Sequence, residues 1–321
     1  MKRALVLGSS GLIGSHMTNR LKAEGYFVRG VSRHHPEVTQ ADEYVETDLR
    51  CIMCNDPIFK DIDWIFQFAC EVGGLGYIEN HNNDIEMLRN SMQIDMAVLE
   101  SAWHCKSIRA HSPRVFFASS ACVYNVPGKR FYAEGDAYPA NCNNEFAWQK
   151  LYAERLYLAY ARTLGLDVRI GRLFNTYGTG MEWRGGREKS VAALCRKVAE
   201  ADGPAIEVWG NGEQTRSYTH VDDAVEGIWR LMQSDVKIPV NIGPAHEVSI
   251  RDLVQAIRRQ ASKSVMIKFG GGPSGVSKIC SDNTLIRNVL GWEPQITIEQ
   301  GLETIYPWIE KMVLDRKQKT A

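Results

Sequence analysis

The stretch GSSGLIG constrains this chain more than any other. It puts Gly8, Gly11 and Gly14 directly after an apolar run, RALVL, and at the head of an amphipathic segment. The first glycine allows a tight turn out of a strand. The second lets backbone approach a pyrophosphate, and the third lets the helix pack on the strand. A helix starting here aims its unsatisfied N–H groups and positive dipole end at the anion. Strand, glycine turn and helix in that order predict a dinucleotide site that takes in Gly8, Gly11, Leu12, Ile13 and Gly14. A purely structural turn is the alternative, and the flanking strand and helix argue against it.

The first half of the chain continues the alternation. YFVRGVS (26–32), DWIFQFAC (63–70), RVFFASS (114–120) and LDVRIGRLFNTYG (166–178) read as buried strands, and 13–25 and 87–105 as helices. This predicts an α/β fold, a Rossmann-type doubly wound parallel sheet with right-handed crossovers. Beyond about residue 180, short strands (IEVWG, PVNIG, VMIKF) mix with helices (SVAALCRKVAEA, VDDAVEGIWRLMQ, IRDLVQAIRRQ). We expect a dinucleotide-binding domain over 1–180 and a smaller C-terminal α/β substrate lobe over 181–321, with crossovers between them.

The second strand ends VSRHH. Dinucleotide sites of this kind commonly carry an acidic residue there to hold the ribose hydroxyls. Ser32 and Arg33 stand in its place. A guanidinium can take a 2′-phosphate, so NADP stands beside NAD as the expected cofactor. A solvent-facing loop arginine is the other reading. Asp48 and Leu49, in ETDLR after the next short strand, are expected near the adenine.

Bulk properties exclude several classes. The 38 basic residues balance 38 acidic ones, which gives no electrostatic case for nucleic acid or membrane partners. No apolar run approaches the ~20 residues of a membrane helix. The eight cysteines are scattered, which fits a reduced, cytoplasmic chain. CIMC (51–54) has metal or redox spacing but no second ligand pair, so no metal site is expected.

Several further strings point one way. They are GGLGYI (73–78), ASSACVY (118–124), RIGRLFNTYG (169–178), WRGGREK (183–189), ALCRK (193–197), GEQTRSYTHVDDAVEG (212–227) and PVNIG (239–243). On these, and over nearly its whole length, the chain resembles the extended short-chain dehydrogenase/reductase family and, within it, the GDP-mannose 3,5-epimerases. The resemblance implies an NAD(P)-dependent isomerase acting on a GDP-hexose, with a homodimer built on a four-helix bundle. Such an enzyme oxidises the hexose 4-hydroxyl, and the ketone acidifies the hydrogens on carbons 3 and 5. Two proton-handling groups must then serve opposite faces of the ring. By position these are Cys122 and Lys189, which taken alone would read as a core thiol and a surface charge. Ser120 matches the hydroxyl that hydrogen-bonds the reacting oxygen, and Lys150 the residue on the nicotinamide ribose. Gly74, Tyr77, Asn175, Arg187 and Arg216 fall on the substrate side.

Two departures stand out. Phe146 occupies the place of the family's acid/base tyrosine, four residues before Lys150. A phenyl ring keeps the packing and loses the one oxygen that moves a proton. An engineered Tyr-to-Phe trap is one reading. A natural replacement, with Ser120 or a water relaying the proton, is another, and an inactive NAD(P)-binding sensor a third. Near the C-terminus, Ser277 and Ile279 flank Lys278 where the family carries arginines, which leaves open which nucleotide diphosphate and sugar bind.

Overall fold

A computed structural model of the chain describes residues 1–36, 39–109, 112–272 and 278–320. The strands in chain order are β1 Arg3–Leu7, β2 Phe27–Ser32, β3 Glu43–Glu46, β4 Trp64–Gln67, β5 Arg114–Ser120, β6 Phe131–Tyr132, β7 Asp167–Leu173, β8 Ala205–Val208, β9 Thr215–Arg216, β10 Val240–Ile242, β11 Val248–Ser249, β12 Met266–Phe269 and β13 Lys278–Ser281. The helices are α1 Leu12–Ala23, α2 Leu75–Ile78, α3 Asp84–Arg109, α4 Glu145–Leu164, α5 Ser190–Glu200, α6 Val221–Gln233, α7 Ile250–Gln260, α8 Thr284–Leu290 and α9 Ile298–Thr320. No helix among the described residues is long and apolar enough to cross a membrane.

Seven of these strands form one sheet in the order β3-β2-β1-β4-β5-β7-β10, every neighbouring pair parallel. The sheet grows outward in both directions from β1 and β4, so the strand order reverses between them. That reversal opens a crevice at the carboxyl ends of the strands. Both faces of the sheet are covered, which is why β4 is buried at all four positions and reads as an unbroken apolar run. One face packs on α1 and α6 through Met17, Leu21, Val225 and Ile228, and the other on α3 and α4 through Val98, Leu99, Ala153 and Tyr157.

The second half of the chain divides differently from the sequence reading. PVNIG does not join the smaller lobe. Its core, β10, is the edge strand of the main sheet beside β7, and α6 packs on the same sheet. A three-residue strand buried throughout carries no period that says which sheet it joins. The smaller lobe is built from α5, α7 and α9 around Leu194, Val198, Ile257 and Ile305, with the β8–β12 pair on its flank. A mixed sheet in the order β11-β9-β13-β6 bridges the two parts.

A buried polar network braces the chain just after β5. Arg172 on β7 donates to both oxygens of Glu154 on α4, at 2.8 and 2.6 Å, and Ser119 Oγ donates to Glu154 Oε1 at 2.5 Å. Arg172 Nη1 also donates to Tyr124 OH at 2.9 Å, and that hydroxyl donates to Asn241 Oδ1 at 2.5 Å. Each buried charge thereby has a partner, the condition under which such groups are tolerated.

Candidate active site

The crevice is a cavity of about 770 Å3. It begins at the glycine turn. Gly8 has φ +81°, its N–H donates to Val31 O at 2.8 Å, and a methyl group there would meet Ala69 N at 2.9 Å. A methyl on Gly14 would lie 2.2 Å from Gly8 O, so helix and turn touch backbone to backbone. Gly11 caps α1 with no side chain over the first N–H groups. Gly8, Gly11, Leu12, Ile13 and Gly14 all line the cavity. A bare helix N-terminus behind a turn too tight for any side chain suits a pyrophosphate.

Ser32, Arg33, Asp48 and Leu49 line the same end. Ser32 Oγ is hydrogen-bonded to Tyr44 OH. Arg50 Nε donates to both oxygens of Asp48, at 2.9 and 3.0 Å, and Nη2 donates to Oδ2 at 2.5 Å. This guanidinium pulls the Asp48 carboxyl down to about 2. Arg33 is exposed, and among the described residues it makes no hydrogen bond or ion pair.

Deeper in, β5 ends on Ser120, whose Oγ accepts from Cys122 N–H at 3.2 Å. Helix α4 starts at a cap, Asn144, whose side chain accepts from Ala147 N–H at 2.9 Å. One turn apart on its inner face lie Phe146 and Lys150. Lys150 Nζ donates to Ala118 O at 2.9 Å and stands 5.8 Å from the centroid of the Phe146 ring. That ring is 5% exposed and packs on Tyr77, Ile78 and Met87, with Cys122 against the same cluster. Ser120, Cys122, Phe146, Lys150 and Lys189 all border the cavity.

Lys189 precedes α5. Lys189 is exposed, and its accessible surface opens into the cavity. Desolvation holds its pKa below the usual lysine value, while negative charge on Cys122 and Cys70 works in the opposite direction. The segment carrying Lys189 is held by the glycine string. Gly74 N–H donates to Arg187 O at 2.8 Å, and a methyl on Gly74 would sit 2.1 Å from Glu188 O. Gly74 thus brings its backbone against 187–188, and it also lines the cavity.

Among the remaining substrate-side residues, Asn175, Arg187 and Arg216 line the cavity and Tyr77 does not. The Tyr77 ring lies in the wall behind, because its hydroxyl donates to buried Glu71 at 3.2 Å and accepts from Arg187 Nη2 at 3.1 Å. Arg187 also pairs with Glu71 at 2.5 Å and stacks on the Tyr77 ring, 4.2 Å from its centroid. Its fork is therefore already engaged, Nη1 by the Glu71 carboxylate and Nη2 by the Tyr77 hydroxyl. Asn175 takes φ +31° and donates from Nδ2 to Ser217 O at 3.0 Å. Arg216 Nη1 donates to Thr215 O at 2.8 Å, and burial lowers its pKa. Of the C-terminal departure, Ile279 lines the cavity, Lys278 is exposed outside it, and Ser277 lies outside the described residues.

Cys70, Lys197 and Trp209 are among the lining residues that the sequence reading did not single out. Cys70 follows β4 at the carboxyl edge, a position that could have flagged it. Lys197 sits within ALCRK; its Nζ donates to Glu207 O at 2.8 Å and stands 5.5 Å from the Trp209 ring centroid. Trp209 itself is half exposed at the cavity wall.

The model of the NAD dependent epimerase/dehydratase family matches residues 4–243. The chain belongs to that family. It is 37% identical over 330 residues to a GDP-mannose 3,5-epimerase of Oryza sativa subsp. indica, covering 99% of this chain and 84% of the relative. Among solved structures it is similar to UDP-glucose 4-epimerase of Thermotoga maritima with UDP-glucose, at TM-score 0.84, 22% identity, 97% of this chain and 99% of that one. It is also similar to UDP-glucuronic acid 4-epimerase of Bacillus cereus with UDP-glucuronic acid and NAD, at TM-score 0.81, 22% identity, 97% of this chain and 99% of that one. As a member of the NAD-dependent epimerases and dehydratases, the chain takes NAD as its cofactor.

Behind Lys150 lies a carboxylate that the sequence did not single out. Asp95 on α3 is buried and accepts from Gln67 Nε2 at 3.2 Å, Gln149 Nε2 at 2.8 Å and Tyr157 OH at 3.3 Å. Burial pushes its pKa up to about 6, with Lys150 and these bonds opposing. The unfolded value is about 3.9. The folded chain binds this proton more tightly, so stability falls as pH rises from about 4 to about 6, by an amount on the order of a few kcal/mol. Urea unfolding between pH 4.5 and 7.5 should show that fall in the parent and a flatter profile in Asp95→Asn. Parallel profiles would count against the buried, partly protonated carboxyl.

Proposed function

We propose that the chain is a sugar-nucleotide epimerase acting at carbons 3 and 5 of a GDP-hexose through a transient 4-ketone, with its redox step impaired by Phe146. The observation that carries this reading is that Cys122 and Lys189 line one cavity with Ser120 and Lys150. The 37% identity to a GDP-mannose 3,5-epimerase supports the same substrate class.

The nicotinamide, when bound, accepts the carbon-4 hydrogen as hydride and later returns it. Ser120 Oγ hydrogen-bonds the oxygen on carbon 4 and, with no hydroxyl on Phe146, passes that oxygen's proton to water as the ketone forms and returns one when hydride comes back; Lys150 holds the cofactor ribose. Once carbon 4 is a ketone, Cys122 Sγ as thiolate removes a proton from carbon 3 or 5. Lys189 Nζ delivers one to the opposite face. Its depressed pKa suits proton exchange nearer neutrality than a free lysine allows. GDP is the diphosphate the resemblance favours, and the loss of arginines around 277–279 makes another nucleotide the second reading. A silent NAD-binding sensor is favoured by Phe146 alone.

We also propose a homodimer. Met96 and Trp103 on α3, and Trp148 and Tyr152 on α4, form exposed apolar stripes at helical spacing on adjacent helices, fit to pair as a four-helix bundle. Sedimentation at the monomer mass of 36.2 kDa would remove that reading. A reducing compartment, the cytoplasm, suits eight free cysteines.

The function is tested by incubating the Phe146→Tyr protein with GDP-mannose in heavy water. Deuterium at carbon 3 or 5 is expected. Label absent from both carbons, with substrate bound, would reject the epimerase reading.

A further inference from the structure

The stretch that brings Lys189 to the cavity has no helix or strand of its own, since residues 184–189 run as loop up to α5. What fixes it comes from outside. Glu71 lies just beyond β4, buried and in the cavity wall. Helix α3 holds it from one side: Ser91 Oγ accepts from Glu71 N–H at 3.0 Å, and Asn90 Nδ2 donates to Glu71 Oε2 at 3.3 Å. The other carboxylate oxygen, Oε1, accepts from Tyr77 OH at 3.2 Å and from Arg187 Nη1 at 2.5 Å. Arg187 Nη2 closes the triangle by donating to Tyr77 OH at 3.1 Å. A second tie acts one residue closer to the amine. Glu188 accepts from Arg196 Nη2 on α5 at 2.6 Å and from Gly186 N–H at 2.7 Å. The chain is thus fastened at 187 to the end of β4 and at 188 to α5, and Lys189 is the next residue. A charge-assisted bond to a buried carboxylate is the stronger kind of fastening, because little water competes for it.

We propose that Glu71 is a positioning residue for Lys189: it holds Arg187, and through Arg187 the backbone that sets where the amine stands in the cavity. Arg187 is then a strut of the wall, although its sequence reads like a phosphate contact. For its consequence in turnover the proposal rests on the reading of Lys189 as proton donor; for the hold itself it rests on the geometry alone. A lysine stem is long and flexible, so the place of its backbone governs what the amine can reach. A misplacement of about 1 Å can cost about 10²-fold in rate.

The experiment is acylation of the full chain by acetic anhydride from about pH 6 to about pH 11, with Lys189 followed by mass spectrometry and a free lysine side chain as reference. The charged groups acting on Lys189 are Cys122, Cys70 and Lys150, and neither variant alters them. In the parent the Lys189 midpoint is expected below the reference, through desolvation. Glu71→Gln and Arg187→Met should each move it up toward the reference, because a released amine reaches water, with NAD affinity kept within about twofold. With Phe146→Tyr added, both should also lower deuterium exchange at carbons 3 and 5 by about tenfold or more. A parent midpoint at the reference, midpoints unchanged in both variants, midpoints that move only with loss of NAD binding, or exchange kept within about threefold in both overturns the proposal. No exchange in the Phe146→Tyr parent itself would reject the epimerase reading, and the acylation curves would still decide the hold.

Discussion

Phe146→Tyr raises turnover on GDP-mannose by roughly 10²–10⁴-fold, the contribution of one positioned acid/base. The substitution adds a single oxygen to a ring that already borders the cavity and already packs on Tyr77, Ile78 and Met87. Lys150 Nζ, 5.8 Å from the ring centroid, supplies the positive charge that lowers a phenol's pKa toward its working range. The phenolate so introduced takes the proton of the 4-hydroxyl as the carbon-4 hydrogen leaves. Because the ring does not move, the melting temperature should stay within a few degrees. Product is measured chromatographically for both proteins under saturating cofactor. Equal turnover would show that the missing hydroxyl is not what limits this site, and would favour a relay through Ser120 or the sensor reading.

In that tyrosine background, Cys122→Ser and Lys189→Met each lower deuterium exchange at carbons 3 and 5 by roughly 10²–10⁴-fold. Serine keeps the size of the thiol, but its hydroxyl is far harder to ionise. Methionine keeps the length and apolar stem of Lys189 and deletes the proton. Neither change touches the glycine cradle, so NAD binding should hold. Oxidation at carbon 4 precedes proton transfer, so a ketone should still form and be seen as reduced nicotinamide absorbance. That split separates proton handling from structure: a variant that only disturbed the fold would lose cofactor binding as well. Exchange retained within about threefold in either variant would remove that residue from the proposed pair.

The two predictions rest on parts of the chain that were unequally legible. The glycine turn, the strand reading RVFFASS and the helix over VDDAVEGIWRLMQ are local matters. They depend on a period, a backbone conformation or a cap that nearby residues carry. The spacing of Phe146 and Lys150 is likewise local, since residues four apart share one face of a helix. Other features were hidden for a physical reason. Tyr77 reads like an exposed aromatic beside glycines, and its engagement with Glu71 and Arg187 follows from partners 6 and 110 residues away. Arg187 reads like a phosphate fork, and only the folded chain shows a carboxylate already in its grip.

What the sequence by itself determined is the order of elements and the nucleotide end of the crevice. Each follows from short-range sterics and hydrogen bonding that a few consecutive residues dictate. Tertiary structure alone decided that β10 completes the main sheet, that Asp95 is buried against Gln67, Gln149 and Tyr157, and that Cys122 and Lys189 line one cavity. Those outcomes depend on which buried surfaces pack together, and a hydrophobic run specifies that it must be buried without specifying against what.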